Sequence, residues 1–231
     1  MERESVTPRP DWQQQCENVG FIYHSMDGIY WDERFCYRFT AAQIDELEAA
    51  TAELHQLCLK AVEHIVAQKR FEELKIPAAF HDYVTKSWQA RDPSVFGRFD
   101  FAYDGKGPPK MLEYNADTPT ALLEGSVAQW NWLEQAILPR RPEADQFNSL
   151  HEKLIDRWRA LRDGALRNNF LYFTCVKDND EDFGNIEYLR DTAQQAGFAT
   201  GTIFVDDIGW ANDNRCFVDV SGQRIDAMVK L

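Results

Sequence analysis

No run of apolar residues comes near the roughly 18 that a membrane-spanning helix needs. The opening "MERESVTPRPDWQQQ" also lacks the apolar stretch of a signal peptide. Basic residues are in the minority, 25 Lys and Arg against 38 Asp and Glu, for a formal net charge of -13. Such a chain repels a phosphate backbone, and no basic patch of any length offsets the repulsion, so nucleic acid is disfavoured as a partner. Cysteine is sparse: Cys16, Cys36, Cys58, Cys175 and Cys216 are odd in number, widely spaced and without a CxxC pair. They predict a reduced, cytoplasmic protein that is not membrane bound. The histidines His24, His55, His64, His81 and His151 are scattered, with neither an HExxH motif nor paired ligand spacing. A triad of His81, Asp82 and Ser87 would want a nucleophile elbow, and no GxSxG exists. Internal repeats and low-complexity segments are absent as well.

What is present suffices for a core. Hydrophobic residues make up 44% of 231, enough for one large domain or two smaller ones, with disorder expected only in the first ten residues. The segment "FTAAQIDELEAATAELHQLCLKAVEHIVAQ" carries Ile44, Leu47, Leu54, Leu57, Ala61 and Ile65 at helical spacing. Thr40 with Gln43 opens it as a capping box, which predicts an amphipathic helix of about 26 residues. Before it, "VGFIYHSMDGIYWDERFCYRFT" is aromatic and reads as strands broken by Asp27-Gly28, a hairpin signal. Two helices are expected in "TALLEGSVAQWNWLEQAIL" and "QFNSLHEKLIDRWRALRDG". From Phe170 the pattern becomes strand "FLYFTCV", helix "GNIEYLRDTAQQAG" and strand "ATGTIFVDD", a βαβ unit with parallel pairing. "RCFVDVS" and "RIDAMVKL" around Gly222 read as a further hairpin. The chain stops at Leu231 inside a strand pattern, as if mid-domain.

The stretch "GRFDFAYDGKGPPKMLEYNADTPT" carries the densest chemistry. "VFGRFDFAY" and "KMLEYNA" flank a Gly- and Pro-rich loop and predict an antiparallel hairpin. If Tyr103 and Lys110 close the loop, Asp100 lies opposite Glu113 and Arg98 opposite Asn115, all on one face. Phe99, Phe101, Leu112 and Tyr114 then point the other way, into a core. Two facing carboxylates repel, and two readings answer that repulsion. In one, Arg98 neutralises a solvated, salt-bridged face. In the other, Asp100, Glu113 and the Asn115 carbonyl supply the oxygen ligands that Mg²⁺ takes, and Arg98 binds an anionic substrate group beside it. Thr118 and Thr120, in the turn that follows, are either helix N-caps or hydroxyls of an anion or peptide-carboxylate site.

At these residues the sequence resembles the synthetase domain of the glutathionylspermidine synthase family, ATP-grasp ligases that join a peptide carboxylate to a polyamine amine. "RFDF", "LEYNADTPTALLEGSVAQW", "GFIYHSMDGIYWDE" and "FVDDIGW" carry the resemblance, over nearly the whole chain. It implies an α/β fold in which a preATP-grasp domain leads into an ATP-grasp domain. Divided that way, residues 1–165 form an α+β region whose hairpin, 97–120, belongs to the ATP-grasp core, and residues 166–231 form the preATP-grasp-like βαβ region. The resemblance implies magnesium on Asp100, Glu113 and Asn115, with Arg98 touching both ATP phosphate and peptide as the catalytic cation. It implies peptide contacts from Thr118 and Thr120, and an acidic pair that falls near Glu181 and Asp182. The turn departs from the Ser-Ala-Ser-Cys of glutathione-specific members, so the peptide stays unnamed. The implied reaction is ATP-dependent: an acyl phosphate forms on the peptide carboxylate and an amine attacks it. The nucleotide pocket and lid are implied beyond residue 231, leaving this stretch inactive alone. A noncatalytic peptide- or metal-binding module is the alternative, and a phosphoesterase on Asp100 and Glu113 a weaker one. No feature of the sequence speaks to oligomeric state.

Overall fold

A computed structural model describes residues 1–26, 28–117, 120–166 and 168–231. Its strands and helices run β1 (Glu2–Ser5), α1 (Trp12–Asn18), β2 (Phe35–Arg38), α2 (Ala41–Ala67), α3 (His81–Ala90), β3 (Arg98–Ala102) and β4 (Lys110–Asn115). There follow α4 (Gln129–Trp132), α5 (Leu150–Gly164), β5 (Phe170–Cys175), α6 (Asp180–Gln195), β6 (Ala199–Phe204), β7 (Gly209–Ala211), β8 (Cys216–Val218) and β9 (Met228–Lys230). The chain divides into two compact units, one of Met1–Glu2, Arg38–Ser94 and Phe99–Tyr114, the other of Arg3–Tyr37, Val95–Arg98 and Asn115–Leu231.

The first unit is built on α2. The Thr40 hydroxyl accepts from the Gln43 amide at 3.3 Å and the Gln43 side chain accepts from the Thr40 amide at 3.0 Å, the reciprocal capping box its sequence predicts. Ile44, Leu47, Leu54 and Ile65 lie on the half-buried side, whereas Leu57 and Ala61 are exposed. The apolar stripe is therefore narrower than expected. The β3–β4 ribbon packs on α2 through Tyr114, whose hydroxyl lies 3.3 Å from His55 Nδ1. Phe99 stacks on Tyr114 with centroids 4.0 Å apart and planes 8° apart. Leu112, expected in a core, is instead 67% exposed, because a two-stranded ribbon covers only the length of its face that meets a helix.

The second unit holds the main core and the expected βαβ motif. β5 pairs in parallel with β6 and with β9, in the order β6-β5-β9. Five of the six β5 residues are buried, as a strand covered on both faces requires. Trp158 of α5, 1% exposed, donates from Nε1 to Thr192 Oγ1 of α6 at 2.9 Å and meets Phe173 edge-on. The end of the chain corrects one expectation. Residues 217–225 do turn back, with the Ile225 amide donating to the Phe217 carbonyl at 2.8 Å. But Met228–Lys230 then joins β5 in parallel instead of extending that hairpin. A buried central strand offers more ladder and apolar cover than a two-stranded ribbon can.

Two expectations near the N-terminus also change. The first ten residues are ordered, with β1 paired to β2 and Arg9 buried on Glu33 through a 2.5 Å ion pair. The aromatic stretch before α2 is a run of turns from Ile22 to Met26 and a strand only at its end, β2, while Asp27 of the expected hairpin signal lies outside the described residues. Before that strand the rings pack on one another, Phe21 standing edge-on to Tyr23, Tyr30 and Trp31, so aromatic content there serves a core.

Candidate functional site

β3 and β4 form a two-stranded sheet, and side chains two apart along a strand share a face. Arg98 and Asp100 alternate in this way on β3, as do Glu113 and Asn115 on β4. Phe99 of β3 and Tyr114 of β4 stack on one another, their centroids 4.0 Å apart. Asp100 is half-buried and Glu113 exposed. None of Arg98, Asp100, Glu113 and Asn115 is without a partner. No group of three or more His, Cys, Asp or Glu side chains among the described residues is placed to hold a metal. The hairpin set has two carboxylates and an amide carbonyl, and its chemistry is that of hard oxygen donors.

In the second unit Arg98 meets the turn that follows β4. Its Nη1 donates to the Thr120 carbonyl at 3.2 Å and lies 3.5 Å from Thr120 Oγ1. Two of the predicted substrate residues are thereby brought together; the third, Thr118, lies outside the described residues. Ala121 follows at φ +67°, a left-handed conformation costly for a residue with a Cβ. The next amide, Leu122 N–H, is met at 3.2 Å by Asn185 Oδ1 from α6.

Asn185, fully buried, anchors a group of residues that the sequence alone does not single out. Besides accepting from Leu122, it donates to the Glu181 carbonyl at 2.9 Å and to the Tyr23 hydroxyl at 3.3 Å. Tyr23 sits against Gly184, where a Cβ would stand 2.7 Å from the ring, so this glycine is required by the close approach. Beside them is Glu124, 6% exposed. Tyr30 donates to Glu124 Oε1 at 2.9 Å, while Oε2 is buried with no hydrogen-bond partner. Burial pushes the Glu124 carboxyl above the usual range, and only in part do the hydrogen bonds pull it back. The Tyr23 and Tyr30 phenols are pushed up chiefly by burial and then by the Glu124 charge. Glu124 opens a π-helical turn, Glu124–Ala128, and a second, Leu133–Ile137, follows α4. Its only signal in the sequence is an acid inside the apolar run "ALLEGSVA". The expected acidic pair, Glu181 and Asp182, stands in the first turn of α6, capped by Asn179 Oδ1 accepting from the Asp182 amide at 3.0 Å. Burial and the Glu181 charge raise the Asp182 carboxyl above its ordinary value.

A family model for the glutathionylspermidine synthase preATP-grasp domain matches residues 3–231. The chain belongs to this family. Its α/β fold with a parallel βαβ sheet is the one expected of such a domain. Among curated relatives, a candidate acid–amine ligase of Haemophilus influenzae is 40% identical over 96% of this chain and 57% of its own length. The bifunctional glutathionylspermidine synthetase/amidase of Escherichia coli is 29% identical over 95% of this chain and 34% of its own. The trypanothione synthetase of Crithidia fasciculata is 27% identical over 75% of this chain and 26% of its own. The chain thus spans little more than half of the first relative and about a third of the second. No helix among the described residues is long and apolar enough to cross a membrane.

Proposed function

We propose that this chain is the preATP-grasp and substrate-carboxylate portion of an ATP-dependent carboxylate–amine ligase acting on a small peptide and an amine such as a polyamine. The observation that carries the reading is Arg98 on the Thr120 turn, 3.2 Å from its carbonyl, one strand alternation from Asp100. A guanidinium half-buried there is placed to hold an anion, either a carboxylate or a phosphate, through charge-assisted hydrogen bonds. Thr120 orients the same group with its hydroxyl.

Asp100, Glu113 and Asn115 fit Mg²⁺ by donor chemistry: two carboxylates and a carbonyl are the hard oxygens it prefers. When bound, the ion would neutralise phosphate charge on ATP. The chain's own share is to bind the anion at Arg98, hold the turn through Asn185 and exclude water around Glu124.

Titration of Mn²⁺ into wild type and into an Asp100→Ala, Glu113→Ala double variant tests the metal set. Binding is expected to weaken about tenfold or more in the variant, and equal affinity would end the metal reading. Metal binding in a protein that shows no amine-dependent ATP turnover, even at the length of its relatives, would favour a noncatalytic binding module instead.

A further inference from the structure

The left-handed conformation of Ala121 has no local explanation. The other described non-glycine residues with positive φ each have one: Lys75 and Arg91 cap the ends of helical segments, Lys69 follows the end of α2, Arg215 lies in the turn between β7 and β8, and Asp178 is of a type that tolerates the conformation. Ala121 ends no helix and turns no hairpin.

Two contacts hold it there. On one side Arg98 Nη1 donates to the Thr120 carbonyl, which belongs to the peptide unit that the φ of Ala121 rotates. On the other, the Leu122 amide donates to Asn185 Oδ1 at 3.2 Å, and the Leu122 and Leu123 side chains are buried in the main core. The Ala121 carbonyl itself accepts from the Gly125 amide at 3.4 Å. The chain after Ala121 is therefore anchored, and the strain rests on the Thr120–Ala121 peptide, where the Arg98 contact offsets it.

That peptide can turn over with little disturbance. It is a rigid plane, and opposite changes in ψ of Thr120 and φ of Ala121 rotate it about the line joining their Cα atoms, leaving both side chains and the chain path in place. The rotation takes Ala121 to negative φ and exchanges what faces Arg98: the Thr120 carbonyl leaves and the Ala121 N–H replaces it. Beside a guanidinium alone the exchange is unfavourable, since a donor then meets a donor. With an oxyanion on Arg98 it becomes favourable, because N–H and guanidinium both donate to the anion and the left-handed strain is released.

We propose that Ala121 is a positioning residue for the anion held by Arg98, and that the Thr120–Ala121 peptide is a two-state switch. Its carbonyl faces Arg98 in the free protein, and its N–H does so once an oxyanion binds. The inference rests on the reading of Arg98 as the anion site. The Thr120 hydroxyl, 3.5 Å from Arg98 Nη1, does not turn with the peptide and serves both states.

The test adds sulfate or acetate to the 231-residue chain at constant ionic strength, the first standing for a phosphoryl group and the second for a carboxylate, and follows Ala121 by NMR. A left-handed residue gives a strong cross-peak between its own amide and Hα protons, and saturation with at least one of the anions is expected to weaken it. Ala121→Gly removes the cost of the left-handed state, so the carbonyl-facing state gains population. Its anion should bind about fivefold more weakly while the protein melts at or above wild type. Ala121→Val raises that cost and should bind more tightly while melting lower. A role confined to packing would leave affinity unmoved in both, and the glycine variant and the cross-peak decide even if the valine variant does not fold. Arg98→Gln tests the underlying reading and should abolish binding. If neither anion binds wild type, or if Arg98→Gln binds as wild type does, that reading fails and this inference with it. If Arg98→Gln loses binding but the cross-peak keeps its strength at saturation, or Ala121→Gly binds as tightly as wild type, the switch alone is overturned.

Discussion

The β3–β4 hairpin and the cluster around Glu124 place carboxylates in opposite surroundings. Glu113 is exposed and Asp100 half-buried, and both have partners. Glu124 is enclosed by Tyr30, with one oxygen unpartnered. An exposed acid pair costs little when empty and can exchange its water for a cation. A buried acid must be met by fixed donors, by a ligand, or by a proton. The first arrangement suits a site that loads and unloads; the second suits one that stays organised.

The largest effect should come from the anchor of the buried region. Asn185→Leu removes the acceptor for Leu122 N–H and the donors to the Glu181 carbonyl and Tyr23. A loss of roughly 2–3 kcal/mol is expected in urea unfolding, since a buried amide is left unmet. An equal loss on changing the hairpin acids would erase the contrast.

Glu124 sharpens the comparison through pH. Its folded-state carboxyl titrates above the ordinary glutamate value, so the folded protein binds more protons than the unfolded chain between the two. Stability should accordingly fall as pH rises from the ordinary glutamate range through the raised folded value, then level off. Glu124→Gln should flatten that slope and melt higher at neutral pH, a difference read from melting temperatures across a pH series. An unchanged slope would show that Glu124 is not the group whose titration sets it.

The smallest effect belongs to the hairpin. Asp100→Asn with Glu113→Gln should leave the urea midpoint at or slightly above that of wild type, because facing like charges are removed. The same substitutions should weaken metal binding, so the ranking of the two regions inverts when the measurement is affinity instead of stability.

Much of this molecule was legible before its structure. The Thr40 capping box, the long helix behind it and the β5–α6–β6 unit follow from local chemistry and periodicity. The hairpin did as well, because alternation and a Gly-Pro loop act over a few residues. Arg9 on Glu33, the return of Met228–Lys230 to β5, and the joining of Tyr23, Tyr30, Glu124 and Asn185 were not legible. Each depends on partners 24 or more positions apart, and no local pattern encodes the choice among such partners. The π-helical turn at Glu124 is invisible for a related reason, since its extra residue per turn is stabilised by packing and not by propensity.

Residue types and spacing by themselves determined that Arg98, Asp100, Glu113 and Asn115 could share one face, because a strand has a period of two. Tertiary structure alone decided that Arg98 closes on Thr120 and that Glu124 is buried. The physical reason is that side-chain direction within an element is local, whereas burial, and with it the state of an acid, is set by whatever the rest of the chain folds against it.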